Sequence, residues 1–468
     1  MKITVHSSKV VKPAAYAGVD AAATTTVIPL TAFDLISYDN YVSSIHAFHP
    51  PSPTNAALED ALSRVLAVYR EWAGRLCVDP SARRRGILLN DAGVRFVEAS
   101  SDAAFESVVM PRRGRITPEV RSLHPRAASG GGAAAAEDEE LLLLQVTRFA
   151  CGSLVVGYTM HHAVGDGFAA GQFMAAWGQT ARGVPIDPVP VHDRTSFFLP
   201  RSPPRVEFDH RASEFRHRDD VDNDNHHAAE LKDDQVVIQQ VRFSREFISE
   251  LRSRASGNGT KQQHHHRPYS TAQCLVAHIW RCMTKARGVN GGRATTLHLA
   301  VNGRPRMSGP RVPEGYTGNL VLWAHPTATA GELLAERLGH AAELIRGAVA
   351  RVDNAYFRSF IDFVSSGAVE EEGLVPAAAA EPDAAVLCPD VAVYCLLRAP
   401  FYDIDLGGGR QFFYTPGYYP DEGVVYILPP SPLGDGSVEV HVSLFSRAMD
   451  VFKGCCYELG QPEEIILQ

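Results

Sequence analysis

No segment constrains this chain more than the one from Glu140 to Gly167. It reads ELLLLQVTRF, then ACGS, LVVGYTM and HHAVGDG. The two apolar runs around Cys151-Gly152-Ser153 predict a strand over 140–149, a turn, and a second strand over 154–160. The hairpin then runs into two histidines, an aspartate and two glycines at 161–167. Glycines at that spacing suit a tight turn, and polar side chains at the end of an apolar strand suit the wall of a cavity.

A hairpin of this kind needs a large core, and the chain can supply one. Its 468 residues are 45% hydrophobic and 21% charged, which fits a globular protein of two domains of about 200 residues each. A net charge of −8 speaks against a nucleic-acid partner, since such surfaces are basic. The eight cysteines form no CxxC pair, so they read as reduced, mostly buried thiols. No apolar run reaches the length of a membrane span. MKITVHSSKVVKPA reads as an edge strand rather than a signal peptide, and EEIILQ carries no lipidation or retention signal. The expected location is the cytosol, with no membrane partner.

Residues 54–76 predict a helix capped by Thr54 or Asn55, with Leu58, Leu62, Val65, Leu66, Tyr69 and Trp72 on one face. A helical segment follows HHAVGDG up to Gly183. The tract at 128–140 reads as a loop. Residues 186–233, first proline-rich and then charged, are the expected linker between an N-terminal domain, 1–185, and a C-terminal domain, 234–468. In the second half the pattern predicts strands at 236–243, 295–304, 391–397, 424–429 and 438–444, and helices at 244–255, 270–288 and 331–352. The last two strands flank PSPLGDGS and read as a hairpin. Helices alternating with mixed strands make this a two-domain α/β chain.

A histidine in such a turn can accept a proton at neutral pH, and an aspartate four residues on can orient the imidazole or hold the loop. Two other readings of the residues stay open: a turn of hydrogen-bonded polar groups, and a metal site using His161, His162 and Asp166. No HExxH or CxxC cluster accompanies them. The histidines 226–227 and 264–266 sit in polar tracts and read as solvated loops.

HHAVGDG resembles the HHxxxDG motif of the BAHD acyltransferases. YDIDLGGGRQ (402–411) is similar to that family's DFGWGKP segment, and LTAFD (30–34), VNGRPRM (301–307) and GYTGN (315–319) fall in the family's order. MKITVHSSK, AFHPP, REWAGRL, QVTRFACGSLVVG and PVPVHDR further resemble its cereal agmatine, putrescine and tryptamine hydroxycinnamoyltransferases. The resemblance implies two chloramphenicol-acetyltransferase-like domains, mixed sheets flanked by helices, with a solvent channel between them. It implies a monomeric acyl-CoA-dependent enzyme with no permanent cofactor and no metal. The acyl group would be hydroxycinnamoyl or benzoyl, and the acceptor an amine such as agmatine, putrescine, tryptamine or tyramine. An O-acyltransferase acting on a small alcohol and a non-catalytic acyl-CoA-binding protein are the alternatives. A condensation domain shares HHxxxDG, but this chain has no room for the carrier domains that accompany one.

Carried onto this sequence, the resemblance makes His162 the general base and Asp166 a loop anchor paired with Arg304. Gly165, Gly167, Asp405, Gly407 and Gly409 support the two motifs. Ser270 and Thr271, opening a helix, and Arg410 fall where the family meets CoA. The second motif departs from the pattern: Leu406, Gly408, Arg410 and Gln411 stand for Phe, Trp, Lys and Pro, which puts CoA affinity in question. Leu396, beside Cys395, stands where many members line the acceptor pocket with Trp, so the acceptor does not follow from the resemblance. An amine acceptor is about 99.9% protonated at pH 7, given an ammonium pKa near 10. It must lose a proton before it attacks, and the proton then acidified by the new N–C bond is the one a histidine is matched to remove.

Overall fold

The computed structural model describes residues 1–15, 26–37, 39–79, 84–108, 115–126, 139–211, 213–217, 235–257, 268–377, 386–419, 421–430 and 434–459. The hairpin Leu142–Phe149 and Leu154–His161 lies inside a six-stranded sheet, flanked by Val94–Ser101 on one side and Tyr41–Phe48 on the other. Every residue of Leu154–His161 is buried. Its even-numbered residues Leu154, Val156, Tyr158 and Met160 pack with the helices Asn55–Val68 and Gly167–Ala181, while Val155 packs on the opposite face with Ile45, Phe105 and Phe413. An antiparallel strand covered on both faces needs no polar alternation, which is why this hairpin reads as continuous apolar runs. Ile3–Val11 takes the sheet's edge, as its mixed sequence predicts.

The second sheet has eight strands. Val391–Cys395 lies parallel between Ala294–Asn302 and Val424–Ile427, and Val438–Phe445 pairs antiparallel with both Val424–Ile427 and Val236–Phe243. Helices Thr271–Arg287, Leu338–Arg351 and Asn354–Ser365 cover one face with a core that includes Trp280, Ile345 and Phe357. Each half also lends a strand to the other. Phe413–Pro416 pairs with Tyr41–Phe48, and Arg115–Ile116 pairs with Val236–Phe243. The mixed sheets with flanking helices are the two-domain α/β architecture the element pattern predicts.

Two elements differ from the periodicity. The helix expected over 54–76 ends at Val68, and Arg70–Ala73 continues as a 3-10 turn before Gly74, where a Cβ would meet the Leu88 carbonyl at 2.6 Å. The helix expected over 331–352 is two helices, Ala330–Ala335 and Leu338–Arg351. The Arg281 guanidinium takes the carbonyls of Leu334 and Glu336, which a continuous helix would have bonded internally. Residues 128–138, the charged part of the linker at 218–233 and His264, His265 and His266 lie outside the described residues.

Candidate active site

The strand Leu154–His161 passes directly into a 3-10 turn, His162–Val164, and then into the helix Gly167–Ala181. Asp166 joins the turn to the helix. One carboxylate oxygen caps the helix by accepting the N–H groups of Phe168 (3.1 Å) and Ala169 (3.0 Å). The other accepts Arg304 Nη1 at 2.7 Å and the Leu320 N–H at 3.0 Å. Both side chains are about 5% exposed. Burial works against the carboxylate's charge, but Arg304 and the N–H donors override it and hold Asp166 below the usual carboxylate range. Asp166 is therefore spent on the fold around His162.

Arg304 also donates to the carbonyls of Tyr316 (3.1 Å) and Gly318 (2.8 Å) and lies over the rings of Phe168 and Tyr316. It thus ties the end of the strand Ala294–Asn302 and the 316–320 segment of the second half to the turn of the first. Gly165 is needed for a close approach: a Cβ there would sit 2.7 Å from the Thr317 carbonyl oxygen. Gly167 opens the helix with Leu396 as its neighbour, 3.8 Å from where a Cβ would stand.

A second ion pair holds the same turn from the other side. Asp34, fully buried, accepts Arg194 at 3.2 Å and the backbone and side-chain N–H groups of Asn319 at 3.1 and 2.9 Å. Arg194 donates to the carbonyls of Ala163 and Val164, and Asn319 Nδ2 donates to the His162 carbonyl at 2.9 Å. Three consecutive carbonyls of the turn are thus taken by this second clamp. The sequence reading places no role on Arg194, which lies in the expected linker, nor on Asp34 and Asn319. The signal present was indirect: LTAFD, PVPVHDR and GYTGN are the segments that carry the resemblance.

The His162 imidazole is left for chemistry. Its Nδ1 is buried with no hydrogen-bond partner among the described residues, while the residue as a whole keeps part of its surface accessible. Burial lowers its pKa, with Asp166 and the Asn319 side chain pulling weakly the other way. The ring is neutral at pH 7 and able to take a proton. His161 points away: its Nδ1 accepts the Ala163 N–H, its ring meets Tyr41 edge-on, and burial pushes its pKa down to about 4.

The second motif supports the far end of the same helix. Asp405 accepts the N–H groups of Gly407 (2.8 Å) and Gly409 (3.0 Å) and pairs with Arg182 at 3.2 Å. Gly407 and Gly409 have φ of 107° and 110°, which favours glycine at both. Gly408 departs from the family pattern for a steric reason. A Cβ there would lie 2.0 Å from the Pro51 carbonyl oxygen, so no larger residue fits. Restoring Trp at this position should destabilise the protein by about 1–3 kcal/mol, the cost of overpacking, and lower the midpoint of thermal unfolding. An unchanged midpoint would show that the loop has another packing available.

The other sequence-predicted residues are dispersed. Ser270 caps the helix Thr271–Arg287 in a reciprocal box with Gln273. Arg410 is exposed and lies 3.7 Å from Asp403. Leu396 packs with the core beneath the turn, whereas Cys395, on the opposite face by strand alternation, packs on the C-terminal core. Among the described residues no group of three or more His, Cys, Asp or Glu side chains could hold a metal ion. Nor is any described helix long and apolar enough to cross a membrane.

The chain is similar to known transferases along nearly its whole length. A family model described as "Transferase family" matches residues 1–459. The chain is 55% identical to agmatine coumaroyltransferase-1 of Hordeum vulgare, over 98% of this chain and all of that protein. It is 54% identical to agmatine hydroxycinnamoyltransferase 1 of Oryza sativa subsp. japonica, with the same coverage. Tryptamine benzoyltransferase 2 of the same rice is 35% identical over 93% of both chains. Among solved structures, vinorine synthase superposes with a TM-score of 0.67 at 20% identity, over 96% of both chains. F. graminearum TRI101 complexed with coenzyme A and deoxynivalenol gives 0.71 at 19% identity, over 92% of this chain and 97% of that one.

Proposed function

Since this chain belongs to the Transferase family of BAHD acyltransferases, we propose that it moves a hydroxycinnamoyl group from CoA to agmatine or a similar amine, giving a phenolic amide, with His162 as general base. The observation that carries the catalytic part is the division of labour at the turn. Asp166 is consumed by Arg304, and His162 is left without a partner at Nδ1 among the described residues and held below its ordinary pKa by burial. The names of the 54–55% identical relatives carry the substrate classes.

The acceptor nitrogen attacks the thioester carbonyl, and its proton passes to the His162 imidazole as the N–C bond forms. The tetrahedral intermediate collapses, the C–S bond breaks, and the imidazolium can return the proton to the departing thiolate. No covalent acyl-enzyme and no metal are needed. The two halves, 1–185 and 234–468, supply the two walls of the channel, with 186–233 crossing between them. Ser270, Thr271 and Arg410 lie on the CoA side and Leu396 on the acceptor side. The working form is a cytosolic monomer.

Thiol release from p-coumaroyl-CoA, measured with agmatine, putrescine, tryptamine, tyramine and a small alcohol, tests this. CoA should appear with agmatine; release with the alcohol alone would overturn N-acylation. The pH profile is a second check. Burial puts the pKa of His162 below its ordinary value near 6.5, so the acid limb of kcat/KM should lie below pH 6.5. Above pH 7 the rate should keep rising toward the ammonium pKa as the reactive free amine accumulates. An acid limb above pH 7 would contradict the neutral imidazole.

A further inference from the structure

The inner face of the second sheet carries polar groups that no protein partner satisfies. His441 and Ser443 stand two residues apart on Val438–Phe445, both 0% exposed. Val440, Val442 and Leu444 of that strand pack into the C-terminal core, so His441 and Ser443 face the other way, toward the first half. Neither ring nitrogen of His441, nor Ser443 Oγ, has a hydrogen-bond partner among the described residues. Across the strand pairing His441 opposes Tyr426. The Tyr426 ring stacks on Tyr394 and meets Tyr419, with centroids 4.9 Å away in each case, and the Tyr419 hydroxyl oxygen is also buried and unpartnered.

Leaving a buried donor or acceptor unpaired costs about 1–3 kcal/mol. Two such side chains on one strand face, with a third whose ring meets the tyrosine opposite His441, are an arrangement that a bound molecule would complete. The wall is connected to the catalytic turn. Tyr426 packs against the core that holds Met160, Ala163 and Val164. The Leu396 N–H donates to the carbonyl of Ile427, the residue after Tyr426, and Leu396 lies against Gly167. His441 is two strands over from Val391–Cys395, roughly 10 Å at the usual strand spacing. That is on the scale of an aromatic acyl chain reaching away from the reacting carbonyl.

Charge selects the ligand. Burial is the sole cause that pushes His441 down, to about 3; Asp421 acts on Tyr419 and Tyr426 but not on this imidazole. Glu439, the carboxylate of this strand and on the same face two residues before His441, already faces Arg242 across the strand pairing, so an ammonium or guanidinium placed against His441 would have no unshared counter-charge beside it. A neutral imidazole offers one donor and one acceptor, and a hydroxyl both donates and accepts. The stacked tyrosine rings offer aromatic faces to a ring. We propose that His441, Ser443 and the Tyr419 hydroxyl form the subsite that receives the ring hydroxyl of the hydroxycinnamoyl group, and so select p-coumaroyl over unsubstituted acyl donors. This rests on the acyltransferase reading above.

The test compares kcat/KM for p-coumaroyl-CoA and cinnamoyl-CoA, with agmatine as acceptor, in the wild type, His441→Leu and Ser443→Ala. The ratio should favour p-coumaroyl-CoA in the wild type and fall about tenfold or more in His441→Leu, with a smaller fall in Ser443→Ala, since a site built to hydrogen-bond a hydroxyl rejects the analogue lacking it. Should His441→Leu fail to fold, the milder Ser443→Ala decides. Unchanged ratios in the folded variants, or a change confined to the KM for agmatine, would overturn the subsite while leaving the acyltransferase reading intact. A wild type that turns over neither acyl-CoA with any amine would instead overturn that reading, and this proposal with it.

Discussion

Replacing His162 by alanine should lower kcat by about 10²–10⁴-fold, the usual contribution of a positioned general base, with little change in the midpoint of thermal unfolding. The reason is the separation of roles at the turn. The backbone of residues 162–164 is held by Asn319 and Arg194 through carbonyl oxygens, and the helix that follows is capped by Asp166. None of these bonds uses the imidazole. Its removal should spare the loop and delete the proton acceptor. Stopped-flow or steady-state thiol release at saturating p-coumaroyl-CoA would measure the loss. A variant that keeps more than about a tenth of the wild-type kcat would remove His162 from the chemistry.

Asp166→Ala should act in the opposite order, on stability first. It strips the counter-charge from an Arg304 guanidinium that is about 4% exposed, and it deletes a helix cap. Breaking one side of a buried pair costs about 3–5 kcal/mol, because the remaining charge stays out of water. Arg304 keeps the carbonyls of Tyr316 and Gly318, which satisfies hydrogen bonds but not charge. The double variant Asp166→Ala/Arg304→Met should regain part of the stability by removing the orphaned charge, yet not the activity, since the link between the 316–320 segment and the turn is gone. Denaturant unfolding of the two singles and the double gives the coupling directly. A cost under about 1 kcal/mol for Asp166→Ala would mean that the pair is far better solvated than its burial implies. The pH dependence has a defined sign. The folded pKa of Asp166 is depressed below the unfolded value near 4, so the pair's contribution is complete above that pH and is lost as pH falls through the folded value.

Much of this was legible in the residues. The apolar hairpin, the polar turn at its end and the capped helices followed from pattern and from local chemistry, because each depends on neighbours within a few positions in sequence. The Asp166–Arg304 pair is different. Its partners are 138 residues apart, and only the family resemblance joined them. Arg194 shows where reading along the chain fails. It sits among prolines and charges, so its composition says linker, yet it is 1% exposed. What buries it is the meeting of three segments, 31–34, 162–164 and 319, which no local signal encodes. The split of the helix at 336–337 has the same origin, since Arg281 of a neighbouring helix takes its carbonyls.

The sequence by itself determined the element types, the two-domain α/β class and the residue types at the turn, since hydrophobic period, caps and glycine positions act locally. Tertiary structure decided which charges are paired, which leaves His162 without an ionic partner, and which face of the strand Val438–Phe445 looks inward. Those outcomes depend on burial and on the pairing of distant segments. The free energy of a charge or a hydrogen bond is set by what surrounds it in space rather than by its neighbours in sequence.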